Sequence, residues 1–329
     1  MTIQEIIGII VFLVVVGLVA LKEVHLLISC SISALRRKPC GPLLCAPGAL
    51  ITHIMAGAGI LCFLYGLLIE PYWIEVNRVD IFTDKLKKAH IVLVQISDLH
   101  CERTPHLERR VVKIVNSFNP DVVVFTGDAV NDEAAIPLFK DTLASLTAKR
   151  GKYAIRGNFD VFIWWNKDLF TKTGFKALTA DNSKITKDTD TFYIAGVSRL
   201  YPKKWPQALA GIPSNAYTIF MYHTPELIEE VARSHVDLYL AGHTHGGQVA
   251  LPWYGALITL STFGKKYESG LYTVGKLIAY INRGIGMEGG AAPRVRFFAR
   301  PEITVFNIHP RIKPKTEIFK PANEKSSET

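Results

Sequence analysis

Five short polar clusters in the later part of the chain each follow an apolar run, and they carry residue types that bind metal ions. Any one of them is more often an ordinary turn, because Asp and Asn are common turn residues. Together they bring two carboxylates, one amide and four imidazoles to the ends of successive apolar runs, which favours a shared site. The clusters are Asp98-Leu-His100, Gly127-Asp128, Gly157-Asn158, His223 and Gly242-His243-Thr244-His245.

The donor types indicate both the ion and the reaction. Carboxylate, amide oxygen and imidazole without thiolate suit Mn²⁺, Fe or Zn²⁺ and argue against a structural zinc site built on cysteine. The seven donors are too many for one ion and sufficient for two, provided that one carboxylate bridges. Two ions about 3.5–4 Å apart can hold a hydroxide in line with a phosphorus atom. The clusters therefore predict the hydrolysis of a phosphoester or a phosphoanhydride.

The elements that must position these clusters alternate between strand and helix from about residue 80. Apolar runs predict buried strands over 90–96, 122–125, 153–155, 218–222 and 238–241, with further strands over 271–274, 277–282 and 303–306. Helical periodicity predicts helices over 105–118, 133–148 and 226–233, the first with Thr104 as its N-cap and Pro105 at its first position. Open α/β sheets place their sites beyond the carboxyl ends of the strands, where the clusters fall.

In this order the five clusters resemble those of the calcineurin-like metallophosphoesterase superfamily, over roughly residues 88–310. The resemblance implies a four-layer αββα sandwich and two divalent ions per chain, with Mn²⁺ expected and Fe or Zn²⁺ as the alternatives. Asp128 would bridge the two ions and hold the hydroxide between them. The implied ligands are Asp98, His100, Asp128 and His245 for one ion, and Asp128, Asn158, His223 and His243 for the other.

The third cluster departs from the family pattern in a way that bears on the substrate. Most of the family has a histidine after the asparagine, where it is thought to assist the leaving oxygen, but this chain has Phe159. A phenyl ring cannot donate a proton, so an unassisted alkoxide, whose conjugate acid has a pKa of about 16, would leave poorly. Phosphate, with a pKa of about 6, can leave without that help, which favours a phosphoanhydride. Alternatively, Phe159 is a packing substitution, and Arg156 or His106 replaces the missing group.

Two apolar runs near the N-terminus, over 6–21 and 49–69, are candidate membrane spans. An uncleaved anchor is favoured over a signal peptide because no Lys or Arg precedes the first run. Basic residues follow both runs, so two full spans cannot satisfy the positive-inside rule on both flanks. One run is therefore expected to be a hairpin or an interfacial segment, and Pro42, Pro47 and the Gly57/Gly59 pair favour the second. The basic residues are Lys22, Arg36, Arg37 and Lys38 after the first run and Arg78, Lys85, Lys87 and Lys88 after the second.

These runs divide the chain into a membrane anchor over 1–70, a catalytic domain over 71–310 and a disordered basic tail over 311–329. The catalytic domain is expected on the cytoplasmic face of the inner membrane. The net charge of +9 fits an anionic membrane surface and a phosphate-rich ligand. Nucleic acid is not an expected partner because no dense basic run is present, and no obligate protein partner is evident.

Membrane attachment and the missing histidine together suggest an amphiphilic substrate. The late motifs over 282–286 and 300–303 resemble the membrane-anchored branch of the superfamily. The site chemistry is similar to that of the UDP-2,3-diacylglucosamine pyrophosphatases of lipid A biosynthesis, which implies a nucleotide-linked glycolipid substrate and release of UMP. The alternatives are a phosphodiesterase or phosphatase of broad specificity and a non-catalytic scaffold, and the complete set of donors disfavours the scaffold.

Five further residues are candidate substrate contacts. Arginines can hold a second phosphate by bidentate contacts, and Arg294 is an additional candidate for that role. The aromatic pair that follows the third cluster can dock at the membrane interface, although a buried helix packing on the sandwich explains it equally well. The candidates are Arg156, Arg199, Arg283, Trp164 and Trp165.

Overall fold

The computed structural model of the protein describes residues 1–289 and 293–311. Apart from Arg311, the predicted tail over 311–329 lies outside these described residues. The helices are α1 Ile3–Leu35, α2 Gly41–Leu44, α3 Pro47–Leu68, α4 Glu108–Ser117, α5 Ile136–Ser145, α6 Asn158–Phe162, α7 Trp205–Ala208 and α8 Ile228–Val231. The strands are β1 Glu75–Thr83, β2 Ile91–Ile96, β3 Val122–Phe125, β4 Gly151–Ala154, β5 Phe175–Ala177, β6 Ala180–Lys187, β7 Asp190–Val197, β8 Tyr217–Tyr222, β9 Leu238–Ala241, β10 Ala250–Leu251, β11 Gly255–Ala256, β12 Gly270–Val274, β13 Leu277–Ile281 and β14 Glu302–Pro310.

The strands form two six-stranded sheets, in the orders β1-β14-β2-β3-β4-β5 and β12-β13-β9-β8-β7-β6, and a small β10-β11 hairpin. Strands β2 to β5 are parallel to one another, as are β7, β8, β9 and β13. Parallel neighbours bring the carboxyl ends of their strands to one edge. The four-layer αββα sandwich expected from the sequence is confirmed.

Three apolar layers hold the sandwich together. Alternate side chains of each strand point to opposite faces, so Leu93 of β2 packs between the sheets while its neighbour Val94 packs under α4 and α5. The layer between the sheets includes Met221 of β8 and Leu240 of β9. A third layer under α7 and α8 includes Phe220 of β8. The central strands are buried on both faces, which explains why they appear as continuous apolar runs in the sequence.

Several element boundaries differ from the sequence predictions. The helix predicted over 105–118 begins at Glu108, with Leu107 rather than Thr104 at the cap position. The Glu108 carboxylate accepts a hydrogen bond from the His106 N–H at 2.6 Å, which fixes the chain as a loop ahead of the helix. The helix predicted over 133–148 is a 3₁₀ turn followed by α5, and the helix predicted over 226–233 is a 3₁₀ turn followed by α8. Strands β1, β5, β6 and β7 and the two-residue strands β10 and β11 were not predicted.

The N-terminal part forms an antiparallel hairpin of two long apolar helices, α1 with 33 residues and α3 with 22. Both are long and apolar enough to cross a membrane, and the second continues as one helix through Gly57 and Gly59. The Lys22 ammonium donates to Gly48 O at 3.2 Å, and Glu23 pairs with His53 at 2.7 Å. The basic residues 36–38 lie at the turn of this hairpin, whereas the basic residues that follow the second run lie at its opposite end, in the domain. Because both ends of the hairpin are basic, the positive-inside rule does not select an orientation.

Candidate metal centre

All seven predicted ligands lie where the strands of the two sheets end. Asp98 and His100 follow β2, Asp128 follows β3, and Asn158 begins α6 after β4. On the second sheet His223 follows β8, and His243 and His245 follow β9. All but Asn158 and His243 are fully buried. The sandwich therefore brings the five sequence clusters to one edge, although they span almost half of the chain.

The backbone at the site is bent sharply to aim these side chains. Five of the seven residues have positive φ angles, which non-glycine residues rarely adopt and which cost on the order of 1–3 kcal/mol each. Glycine is required beside them, because a Cβ on Gly157 would lie 2.2 Å from Asp128 Oδ1 and one on Gly242 would lie 2.1 Å from Asp98 Oδ2. Strain of this kind concentrates at functional sites. The residues are Asp98 (49°), His100 (40°), Asp128 (60°), His243 (72°) and His245 (52°).

The ligand atoms form two adjoining groups. Asp98, His100 and His245 make one, and Asp128, His223 and His243 make the other. Asp128 Oδ2 lies 3.2 Å from His223 Nε2 and 3.8 Å from His100 Nε2, so it stands between the groups. This is the position that a bridging carboxylate requires. Asn158 Oδ1 lies 3.0 Å from His223 Nε2, which joins the amide to the second group.

The unpartnered atoms at the site fit divalent metal ions. Asp128 Oδ2, His100 Nε2, His245 Nε2 and His243 Nδ1 are buried and have no hydrogen-bond partner. Leaving a buried polar atom unpaired costs about 1–3 kcal/mol, so the convergence of four such atoms needs an explanation. Metal coordination would satisfy all four, and the oxygen and imidazole donors suit a divalent ion.

Outer contacts fix the orientation of three of the imidazoles. The His100 Nδ1–H donates to Asn131 Oδ1 at 2.8 Å, and the His223 Nδ1–H donates to Thr126 O at 2.7 Å. The His243 Nε2–H donates to Leu260 O at 3.3 Å. Each of these contacts turns the opposite ring nitrogen toward the site, as is usual for metal-binding histidines, and at His223 that nitrogen lies 3.0 Å from Asn158 Oδ1 and 3.2 Å from Asp128 Oδ2.

Electrostatics prepares the site for cations. Burial lowers the pKa of His100 and of His243 to about 4, so both imidazoles are neutral at pH 7 and have a free lone pair. Burial acts to raise the pKa of Asp128, but the imidazoles around it, led by His223, lower it to about 2. Burial likewise opposes the charging of His223, but the Asp128 carboxylate raises its pKa to about 10. Asp128 and His223 therefore favour each other's charged form, and a metal ion bound there would take the place of the His223 proton.

Phe159 occupies the place of the usual family histidine. Its ring packs edge-on against His100, with ring centroids 4.8 Å apart, and its N–H donates to Asp128 Oδ1 at 2.9 Å. The next residue, Asp160, is buried and accepts hydrogen bonds from the backbone of Asp128 and Gly157. His106 lies elsewhere, with its ring against Tyr72, so it does not replace the missing group.

Several predicted substrate contacts serve the fold instead. Arg156 donates to the backbone carbonyls of Asp160, Trp164 and Lys167 at 2.5–3.2 Å, which leaves it neither a phosphate contact nor a substitute for the lost histidine. Arg283 is paired with Glu302 at 2.6 Å and with Glu75 at 3.0 Å. These contacts correct both assignments, because neighbouring carbonyls and carboxylates already hold the guanidiniums.

The remaining candidates divide between packing and exposure. The Trp164 indole donates to Val130 O at 2.9 Å and packs against the core, which corrects its assignment to the membrane interface. Trp165 points the other way and is 71% exposed. Arg294 is paired with Glu102, while the half-buried Arg199 has no hydrogen-bond partner at Nε.

Glu288 was not among the predicted site residues. Its Oε1 lies 3.6 Å from His100 Nε2 and 3.8 Å from His245 Nε2, beside the first ligand group. It stands in the loop after β13, and no apolar run leads directly into it. An acidic residue just beyond the motif over 282–286 was the only signal that could have drawn attention to it.

Comparison with known proteins agrees with this geometry. A sequence profile of the calcineurin-like phosphoesterases matches residues 91–247. The uncharacterised metallophosphoesterase YkuE of Bacillus subtilis is 33% identical over 279 residues, covering 78% of this chain and 91% of that protein. UDP-2,3-diacylglucosamine pyrophosphatase LpxG of Chlamydia muridarum is 27% identical, covering 78% of this chain and 95% of that protein. The phosphodiesterase YaeI of Escherichia coli is 26% identical, covering 73% of this chain and 90% of that protein.

The fold and the site together define a metal-dependent hydrolase. The chain belongs to the calcineurin-like metallophosphoesterase family, as the profile match and the similarity to YkuE establish.

Proposed function

We propose that this protein is a membrane-anchored hydrolase that cleaves the pyrophosphate of UDP-2,3-diacylglucosamine into UMP and 2,3-diacylglucosamine 1-phosphate, as a step of lipid A biosynthesis. The observation that carries the proposal is Phe159, a phenyl ring at the edge of a metal centre that lies next to a membrane hairpin. Similarity to LpxG, whose name states this activity, supports the same substrate.

The proposed centre holds two divalent ions, with Mn²⁺ as our choice. One ion would be held by Asp98, His100, Asp128 and His245, and the other by Asp128, Asn158, His223 and His243, with Asp128 shared. When bound, such ions polarise a phosphoryl group and lower the pKa of water. The protein's own contribution is to fix these donors in place through the hydrogen bonds of Asn131, Thr126 and Leu260.

The leaving group follows from what surrounds the centre. Phe159 supplies no proton to a departing oxygen, and the Arg156 guanidinium is already held by carbonyls. A leaving phosphate, with a pKa of about 6, needs no such proton, whereas an alkoxide does. A pyrophosphate linkage is therefore the bond that this site is best suited to cleave.

The surroundings of the hairpin support a lipid substrate. Exposed aromatic and aliphatic side chains surround the base of the hairpin, where Trp and Tyr would sit at the membrane interface. Leu260, half-exposed, belongs to this surface, and its carbonyl accepts from His243. A lipid with its acyl chains in the bilayer could present its pyrophosphate at this edge. The surface comprises Tyr72, Trp73, Trp253, Leu260 and Phe298.

A direct assay tests the proposal. Purified full-length protein in detergent is incubated with Mn²⁺ and either UDP-2,3-diacylglucosamine or a generic aryl phosphodiester, and the release of UMP or of the aryl alcohol is measured. We expect strong preference for the nucleotide-lipid and loss of turnover in Asp128→Asn. Strong preference for the aryl phosphodiester would reject the lipid A assignment and favour the second candidate, a phosphodiesterase of broader specificity, which similarity to YaeI supports.

We further propose that residues 1–70 form the anchor, that residues 71–310 form the catalytic domain, and that this domain faces the cytoplasm from the inner membrane. A nucleotide-linked substrate supports that face, because nucleotides are cytoplasmic metabolites. A reporter fused to the C-terminus tests the orientation in cells. A reporter active only in the periplasm would contradict both the orientation and the nucleotide-lipid substrate.

A further inference from the structure

We infer that Glu288 is an additional ligand of the metal centre, binding the ion held by Asp98, His100 and His245. The inference rests on the proposed dimetal centre and adds to it a third carboxylate that lies outside the five sequence clusters. It makes the first ion's environment richer in oxygen donors than the family pattern implies.

The position of the carboxylate is that of a ligand. Glu288 Oε1 lies 3.6 Å from His100 Nε2 and 3.8 Å from His245 Nε2. His245 Nε2 lies 3.5 Å from Asp98 Oδ1, so the neighbouring donor atoms are similarly spaced around one point. Ligands bound at about 2.0–2.1 Å to a common ion lie roughly 3–4 Å from one another. Glu288, His100 and Asp128 accordingly offer three ligand atoms that one ion could share.

The oxygen has no other partner. Glu288 Oε1 is buried and makes no hydrogen bond. The facing Nε2 atoms of His100 and His245 are likewise buried and unpartnered. Asp98 and Asp128 add negative charge on the same side. A divalent cation would satisfy all three carboxylates at once.

The loop that carries Glu288 is tied to the site from two directions. The Gln248 side chain donates to Glu288 O at 2.9 Å and accepts from the Glu288 N–H at 2.7 Å. Asn131 donates to Met287 O at 3.0 Å while its Oδ1 accepts from His100. The same amide therefore orients an expected ligand and the residue next to Glu288.

A close backbone approach brings the loop to the metal centre. The Gly286 N–H donates to Asp98 O at 2.7 Å, and a Cβ at Gly286 would lie only 2.2 Å from Leu99 O. Only glycine fits there without displacing the strand end that carries Asp98. The loop is thus held against the first ligand group. The backbone contacts at Gly286 therefore fix the position of Glu288 at the site.

Metal titration tests the inference. Metal-free, full-length protein in detergent is titrated with Mn²⁺ by calorimetry, with the wild type, Glu288→Gln and Glu288→Ala compared. The matched control is Glu133→Gln, which changes an exposed carboxylate paired with Lys167. We expect Glu288→Ala to weaken the binding of one of two ions by about 10–100-fold, Glu288→Gln to weaken it less, and the control to bind as the wild type does.

Thermal unfolding provides a second readout that a purely structural role would not produce. Removing a carboxylate from a crowded anionic site should leave the metal-free variant as stable as the wild type or more so, while the Mn²⁺-induced rise in Tm becomes smaller. If Glu288→Ala binds two ions with unchanged affinity, Glu288 is not a ligand, and the proposed two-ion centre is still supported. If the wild type binds no Mn²⁺, Fe²⁺ or Zn²⁺, the proposed centre itself fails, and the inference with it.

Discussion

The carboxylate of Glu5 accepts hydrogen bonds from both the backbone N–H and the hydroxyl of Thr259, at 2.7 and 2.6 Å. Glu5 lies in the first turn of α1 and is fully buried, although most of that helix is exposed. The residue after Thr259 is Leu260, whose carbonyl accepts from His243. The N-terminal helical hairpin is therefore linked through two adjacent residues to an expected metal ligand.

The second helix of the hairpin makes a similar connection at the same, domain-side end. The Gly66 carbonyl of α3 accepts from the Arg296 N–H at 2.9 Å. The Arg296 side chain is fully buried, and its Nη2 lies 3.4 Å from His245 Nδ1 and 3.2 Å from Gly284 O. Both helices of the hairpin thus contact residues that position the two histidines after β9. The hairpin is a structural part of the site as well as a candidate anchor.

This arrangement predicts that Glu5 influences a metal centre that it does not touch. Glu5→Gln and Thr259→Val should each destabilise the protein by about 1–3 kcal/mol, since each leaves buried partners unpaired. The double variant should lose less stability than the sum of the two single losses, because both substitutions remove the same contact. Thermal unfolding in detergent measures the cycle. Glu5→Gln should also weaken Mn²⁺ binding through the loop at Leu260.

A matched control for Glu5 lies on the same helix. Glu23 pairs with His53 far from the domain, so Glu23→Gln should leave Mn²⁺ binding unchanged whatever it does to the hairpin. Additive effects of Glu5→Gln and Thr259→Val, with wild-type metal affinity in both, would show that the hairpin and the centre are independent.

The sequence was sufficient to predict which candidate ligands lie at one edge of the sandwich, because each cluster follows a strand buried on both faces. Such strands appear as continuous apolar runs, and their ends are readily located. Strand β6 was missed because only Ile185 along it is fully buried, so the edge strand carries little apolar signal. Glu288 was missed because its position depends on a loop folded against Asp98 by long-range contacts. The pairing of Arg283 with Glu302 and Glu75 likewise requires tertiary structure.

Phe159→His should restore the family's usual side chain and broaden the range of leaving groups. An added general acid is worth about 10²–10⁴-fold where the leaving oxygen needs a proton. We therefore expect a large gain on alkyl phosphodiesters, whose alkoxide needs a proton, and little change on a pyrophosphate. Steady-state rates on the two substrate classes measure the effect. An equal change on both would show that Phe159 does not determine the leaving group and serves only to pack against His100.

The neighbouring tryptophans should behave differently when each is replaced by alanine. Trp165→Ala removes an exposed ring beside α6, so it should lower turnover of a lipid substrate in bilayers and leave Tm unchanged. Trp164→Ala should lower Tm, because it removes core packing and a hydrogen bond to Val130 O, at a cost of about 3–5 kcal/mol. Paired measurements of Tm and of turnover on vesicles check both outcomes. Unchanged turnover of Trp165→Ala on vesicles would exclude a role in interface docking.

Asp190 joins the second sheet to the segment that enters β2, and it predicts a specific dependence of stability on pH. Its Oδ2 accepts from the backbone N–H groups of Lys87, Lys88 and Ala89 at 2.7–2.9 Å. Burial acts to raise the pKa of Asp190, but these N–H groups outweigh it and lower the pKa. A lowered pKa in the folded state means that the carboxylate stabilises the protein above the unfolded value of about 3.9. This contribution is lost as the pH falls through the folded value.

Replacing Asp190 by asparagine keeps an oxygen acceptor and removes the charge. Since hydrogen bonds to a charged group contribute about 1.5–3 kcal/mol, Asp190→Asn should destabilise the protein by roughly 1–3 kcal/mol at pH 7. The difference from the wild type should begin to shrink below about pH 4, because Asp190 of the unfolded wild type then gains a proton, and it should vanish once the pH falls below the lowered pKa of the folded state. Thermal unfolding of both proteins in detergent at pH 7 and pH 3.5 measures this. If the loss of stability in Asp190→Asn is the same at pH 7 and pH 3.5, the shape of the Asp190 side chain rather than its charge holds residues 87–89 against β7.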